Sequence, residues 1–99
     1  MNKFMADLNG EATGHITIDN EYFVWKPLAL TKILSFGQAK EIRIPIDFIE
    51  GYRIKRNFTW KYLCIAVSGE EQMIVFTCRN PNRIVEELKK YNPYARMIE

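Results

Sequence analysis

The sequence predicts a mainly β fold, in which a bent, barrel-like sheet of six to seven antiparallel strands is capped by one C-terminal helix at about residues 80–91. Short stretches with alternating apolar and polar residues recur along the chain and are separated by Gly, Asn or Pro turns. The clearest helical spacing of apolar residues follows Pro81. Strong bending under a terminal helix would cover both the edges and the apolar face of such a sheet.

Size and composition indicate a single domain, residues 1–99, with one modest core. The net charge of +2 is too small to indicate a nucleic-acid partner by itself, so nucleic-acid binding is not expected. The sequence has no run of roughly 18 apolar residues and no apolar core of a signal peptide near its start. A cytoplasmic protein is therefore expected.

The first half of the chain contains three predicted strands. Residues 4–13 carry a weak pattern with a turn at Asn9-Gly10. In residues 14–19, Ile16 and Ile18 share one side, which is typical of a half-buried strand. After a turn at residues 19–20, the apolar residues 22–25 form the return strand, which Pro27 ends.

The second half continues the same meander. Residues 41–46 alternate strictly, and Pro45 places this strand at an edge of the sheet or ends its pairing. A bend at 47–51 leads into a strand from Tyr52, and residues 56–59 form a hairpin loop. If residues 60–67 and 72–78 pair around the loop 68–71, Cys64 faces Val75, and Cys78 points to the other face. Two buried free thiols are therefore expected.

The predicted helix has recognisable ends. Asn80 can accept hydrogen bonds from free amides at a helix N-terminus, and Pro81 suits the first helical position. Asn92-Pro93 ends the helix. The residues expected on its buried face are Ile84, Val85, Leu88 and Tyr91.

The order of these motifs resembles a known family. Residues 14–18 followed by 22–25 are similar to the first hairpin of GRAM and bacterial pleckstrin-homology-like domains. Residues 44–52 resemble their "I-P-hydrophobic" segment, and residues 76–88 resemble their closing strand and helix. The resemblance covers residues 14–91 and is closest to small uncharacterised bacterial proteins. It implies a bent seven-stranded barrel with a C-terminal helix that binds lipids, peptides or proteins without catalysis.

The long connection after the third strand is a candidate contact surface. It shows neither clean alternation nor a long helical stripe, and long connections are often functional or packed on themselves. Its apolar residues either fold over the core or form an exposed patch for a protein partner or a second copy of the chain. The candidate residues are Leu28, Leu30, Ile33, Leu34 and Phe36.

A basic and aromatic stretch is the second candidate surface. Cations beside an exposed aromatic suit an anionic lipid headgroup region. The alternative is a solvated face with Trp60 packed inward. The candidate residues for anionic-surface binding are Arg53, Lys55, Arg56, Phe58 and Lys61.

Catalytic, metal and cofactor sites are not expected. His15 is the only histidine, and a zinc site needs about four ligands. Ser68 has no histidine that the sequence ties to it, and no glycine-rich phosphate loop is present. The sequence therefore predicts a non-enzymatic module with no small-molecule substrate, which recognises a protein partner or self-associates. The alternative is peripheral binding to an anionic membrane surface.

Overall fold

The computed structural model describes residues 2–28 and 40–98, and in them it shows eight strands and one α-helix. The mainly β fold with a C-terminal helix is therefore confirmed. A single turn of 3-10 helix, Ile46–Phe48, lies between β4 and β5. The elements are β1 Phe4–Leu8, β2 Ala12–Ile18, β3 Tyr22–Pro27, β4 Ile42–Pro45, β5 Ile49–Arg56, β6 Lys61–Val67, β7 Ile74–Cys78, α1 Pro81–Tyr91 and β8 Arg96–Met97.

The strands form one sheet in the order β4-β3-β2-β1-β7-β6-β5-β8. Strand β4, which contains Pro45, lies at one edge of the sheet, as predicted. Strand β8 lies at the opposite edge and does not pair with β4, so the described sheet is not closed. The eighth strand was not expected. It pairs in parallel with β5 through only two residues, too few for any periodic pattern. Gly51 permits this approach, because a Cβ there would lie 2.5 Å from the Arg96 carbonyl oxygen.

The sheet curls strongly enough for buried residues of its distant strands to form one core. Buried side chains of β1 to β7 and of α1 meet in one cluster, with Phe23 and Phe76 in contact at 5.8 Å between ring centroids. The indole of Trp25 passes over β2 and donates a hydrogen bond to the Ala6 carbonyl oxygen at 3.0 Å. Gly14 leaves room for this crossing, because a Cβ at that position would lie 2.6 Å from the Trp25 ring.

The predicted strand register is confirmed where it was most specific. Cys64 pairs with Val75, and both Cys64 and Cys78 are buried free thiols. Ile16 and Ile18 are buried on one face of β2, as the alternation predicts.

The helix covers the sheet with Ile84, Val85 and Leu88, and it contacts β5 and β6. Two details differ from the prediction. The side chain of Asn80 forms no capping hydrogen bond, and Tyr91 is 39% exposed rather than part of the buried face. No helix among the described residues is long and apolar enough to cross a membrane.

Asn92 fixes the end of the helix. It is buried, and its amide nitrogen donates to the carbonyl oxygens of Ile46 and Ile49 at 2.9 and 3.0 Å. Its backbone N–H donates to the carbonyl oxygen of Leu88. One side chain therefore ties α1 to the turn that leads into β5.

Candidate functional site

The hairpin between β5 and β6 ends in a loop that one side chain organises. Asn57 Oδ1 accepts hydrogen bonds from the backbone N–H groups of Thr59 at 3.0 Å and Trp60 at 2.7 Å. Asn57 Nδ2 donates to the Tyr62 hydroxyl at 3.1 Å, and its backbone N–H donates to the Trp60 carbonyl oxygen at 3.0 Å. Such a side-chain turn stabilises this conformation of the loop.

This conformation exposes both aromatic residues of the loop. Phe58 is 103% exposed and Trp60 is 56% exposed, so the alternative in which Trp60 packs inward is wrong. Burial of apolar area is favourable, and an exposed aromatic pair at the tip of an ordered hairpin is therefore available for a contact outside the chain.

The predicted cations divide into two groups. Lys55, Arg56 and Lys61 are exposed at the tip, where Arg56 pairs with Lys61 across the hairpin. None of these three forms an ion pair with another described residue. Arg53 lies further down β5 and is half-buried, and its Nε donates to the Ile98 carbonyl oxygen at 3.3 Å. Arg53 therefore holds the C-terminal segment rather than the tip.

A groove next to the hairpin is lined by residues that the sequence did not single out. It lies on the outside of the sheet, over β1, β7 and β6, and has a volume of about 650 Å³. Thr77 pairs with Asp7 on one side and with Tyr62 on the other, and this register sets the floor. Asp7 and Arg79 line the groove only because distant strands pair, and no local pattern signals this. The lining residues are Met5, Ala6, Asp7, Thr59, Trp60, Lys61, Thr77, Cys78 and Arg79.

Charges are separated along β5, β6 and β7. The cations of the tip and Arg79 stand at one end of these strands. Exposed acidic residues stand at the other end, where the Ser68 N–H donates to the Phe48 carbonyl oxygen at 2.7 Å and joins the two acidic turns. At about 3.3 Å per residue, the seven residues of β6 separate the two ends by roughly 20 Å. The acidic residues are Asp47, Glu50, Glu70 and Glu71.

The thiol below the groove is a poor nucleophile at neutral pH. Burial raises the pKa of Cys78 to about 11, against a smaller opposing effect of the Lys61 charge. At neutral pH the side chain is therefore a neutral thiol, and the thiolate is the reactive form. Among the described residues no group of three His, Cys, Asp or Glu side chains is placed to hold a metal ion.

The predicted apolar contact surface falls mostly outside the described residues. Leu28 is half-buried, and its N–H donates to the Thr13 carbonyl oxygen at 3.1 Å. Leu30, Ile33, Leu34 and Phe36 are not among the described residues, so their role in partner binding or self-association stays a prediction.

Comparison with known proteins found no family model and no curated protein that matches this chain. The resemblance to GRAM and pleckstrin-homology-like domains therefore stays a prediction.

Proposed function

We propose that this protein is a non-enzymatic binding module that attaches peripherally to an anionic membrane surface through the β5–β6 hairpin. One observation carries the proposal: Phe58 is fully exposed at the tip of the loop, and it is flanked by Lys55, Arg56 and Lys61, three cations that form no ion pair with another described residue. A hydrophobic residue that can enter the headgroup region and cations that stay at its surface are the two contributions that membrane attachment needs.

The magnitudes fit reversible attachment. A Lys or Arg near an anionic bilayer contributes about 1 kcal/mol, so the three cations supply about 3 kcal/mol. Burial of a Phe side chain contributes about 1.5–3 kcal/mol. The sum is roughly 5 kcal/mol, close to that of a single acyl chain, which binds membranes reversibly.

The charge separation supports a defined orientation. Electrostatic interactions are largely screened beyond about 8 Å at physiological ionic strength. The acidic turns lie roughly 20 Å from the tip along β6, so they weaken the attraction little when the hairpin touches the surface. They also disfavour the inverted orientation.

The two free thiols fit a reducing compartment and support the cytoplasmic placement that the sequence predicts. The cytoplasmic leaflet also provides anionic lipids.

Vesicle flotation tests the proposal. The native protein is expected to float with phosphatidylglycerol vesicles at low salt and not with pure phosphatidylcholine vesicles. The double variant Arg56→Glu, Lys61→Glu is expected to lose binding, whereas a control reversal in the last turn of α1, Lys89→Glu, keeps it. Absence of binding by the native protein would reject the proposal, as would equal loss in both variants. Preferential binding to a single-stranded oligonucleotide would also reject it and indicate base stacking on Trp60 instead.

Recognition of a protein partner is the second candidate. A separate observation favours it: Phe48, Tyr94 and Met97 are large side chains exposed away from the hairpin. For self-association through the predicted surface at residues 28–36, size-exclusion chromatography with light scattering is the test. A strict monomer that Phe36→Asp leaves unchanged would exclude that surface as a self-association site.

A further inference from the structure

The groove beside the hairpin has the size of a small-molecule site. Its volume of about 650 Å³ lies within the ~300–1,000 Å³ typical of ligand pockets. A second depression of about 420 Å³ adjoins it, and the two share Asp7, Trp60 and Thr77. The Trp60 indole therefore forms a wall common to both, above a floor of strand residues.

The charges of the groove are mixed. Lys61 and Arg79 are exposed cations, and Asp7 supplies a carboxylate. None of the three forms an ion pair in the described part of the chain. A small dianion such as inorganic phosphate would gain from the two cations but would be repelled by the carboxylate. A ligand with an anionic and a cationic group a few bonds apart can use all three.

The carboxylate end of the groove has the features that recognise an ammonium ion. The exposed face of Trp60 attracts cations through the ring quadrupole. Asp7 can also accept hydrogen bonds from a primary ammonium, and so can the hydroxyl of Thr77, its neighbour across the β1–β7 ladder. A quaternary ammonium has no N–H to donate, so the site should bind a primary ammonium more tightly than a quaternary one.

We infer that the groove binds the headgroup of a zwitterionic aminophospholipid of the phosphatidylethanolamine class. The phosphate meets Lys61 and Arg79, and the ammonium meets Asp7 and Trp60. The inference rests on the proposed function, because the loop that carries Phe58 and Trp60 would bring the groove to the membrane. The hairpin supplies general attraction to an anionic surface, and the groove supplies selection among lipids.

Vesicles with equal phosphatidylglycerol content test the inference, with the remainder either phosphatidylethanolamine or phosphatidylcholine. The native protein is expected to bind the ethanolamine vesicles roughly tenfold more tightly, the change expected for one charge-assisted hydrogen bond. Asp7→Asn should remove this preference and leave binding to the choline vesicles undiminished. Asp47→Asn is the matched control at the acidic end and should keep the preference. Thermal unfolding of both variants checks that the fold is intact.

The outcomes separate this inference from the proposed function. If the native protein binds phosphatidylglycerol without an ethanolamine preference, only the inference fails. If Asp7→Asn keeps the preference, the difference reflects lipid packing and the inference also fails. If no vesicle is bound, the proposed function fails, and the groove is tested by calorimetric titration with glycerophosphoethanolamine. Either result of that titration overturns the lipid assignment: no binding removes the site, and binding that Asp7→Asn abolishes assigns it to a soluble zwitterion.

Discussion

Replacement of Phe58 by alanine is the sharpest test of the hairpin as a membrane contact. The side chain is 103% exposed, so its removal leaves no cavity. Surface substitutions of this kind change the free energy of unfolding by no more than about 0.5 kcal/mol. The melting temperature of Phe58→Ala should therefore stay close to that of the native protein, and any change in vesicle binding would reflect the contact itself.

The expected loss of binding follows from the area that Phe58 has available. Full burial of a Phe side chain contributes about 1.5–3 kcal/mol, and insertion at headgroup depth leaves part of the ring in contact with water. The lower end of this range, about 1.5 kcal/mol, corresponds to a roughly tenfold weaker partition coefficient. Because Phe58 is uncharged, the dependence of binding on salt concentration should not change.

Partitioning into phosphatidylglycerol vesicles, measured by sedimentation over a series of salt concentrations, provides the assay. Phe48→Ala is the matched control, because Phe48 is also exposed but lies beside the acidic turns. Phe58→Leu should keep most of the affinity. Unchanged partitioning of Phe58→Ala, or an equal loss in Phe48→Ala, would refute the assignment of the tip as the inserting element.

Three further predictions concern the residues that hold the fold and the loop. Asn57→Ala should lower the free energy of unfolding in urea by about 1 kcal/mol. It should also weaken vesicle binding severalfold, because a loop without the Asn57 hydrogen bonds must be ordered on contact. Asn57→Asp keeps the acceptor oxygen and should retain the stability. Gly14→Ala should destabilise the protein by about 1–3 kcal/mol, since the added Cβ would lie 2.3 Å from the Lys26 carbonyl oxygen; unchanged urea unfolding would contradict this. The backbone N–H groups of Tyr22 and Glu21 donate hydrogen bonds that lower the pKa of Asp19, and the bond from Tyr22 has the larger effect. The charge of Arg43 adds a smaller effect.

The Asp19 prediction has a definite sign. A carboxyl group whose pKa is lower in the folded state stabilises the fold above its unfolded pKa of about 4, and this contribution is lost as the pH falls through the folded value. Urea midpoints of the native protein should therefore exceed those of Asp19→Asn at neutral pH, and the gap should shrink below about pH 4. A constant difference between the two urea midpoints across the acid range would show that the charge of Asp19 does not contribute to stability.

Much of the sheet could be predicted because its signals are local. The burial of Ile16 and Ile18 follows from the alternation of side chains within one strand. The edge position of β4 follows from Pro45, which has no N–H to donate to a neighbouring strand. The pairing of Cys64 with Val75 follows from one hairpin loop. Strand β8 could not be predicted, because it is two residues long and pairs with a strand more than forty positions earlier.

The two asparagines show why local chemistry was only partly informative. The sequence predicts a helix cap at Asn80, yet its side chain makes no capping hydrogen bond, whereas Asn57 organises the hairpin loop with three side-chain hydrogen bonds. Both residues carry the same donors and acceptors, and the backbone conformation that follows each decides which are used. The groove was missed for a different reason: Asp7 and Arg79 approach Trp60 only through the β1–β7–β6 pairing.

The chain contains two tryptophans in opposite environments. Trp25 is fully buried with its indole N–H bonded, whereas Trp60 stands at the proposed contact surface. Trp60→Phe would leave an emission spectrum that reports folding alone, and Trp25→Phe one that reports the surface alone. Collisional quenching by acrylamide would then distinguish loss of structure from loss of binding without any added label.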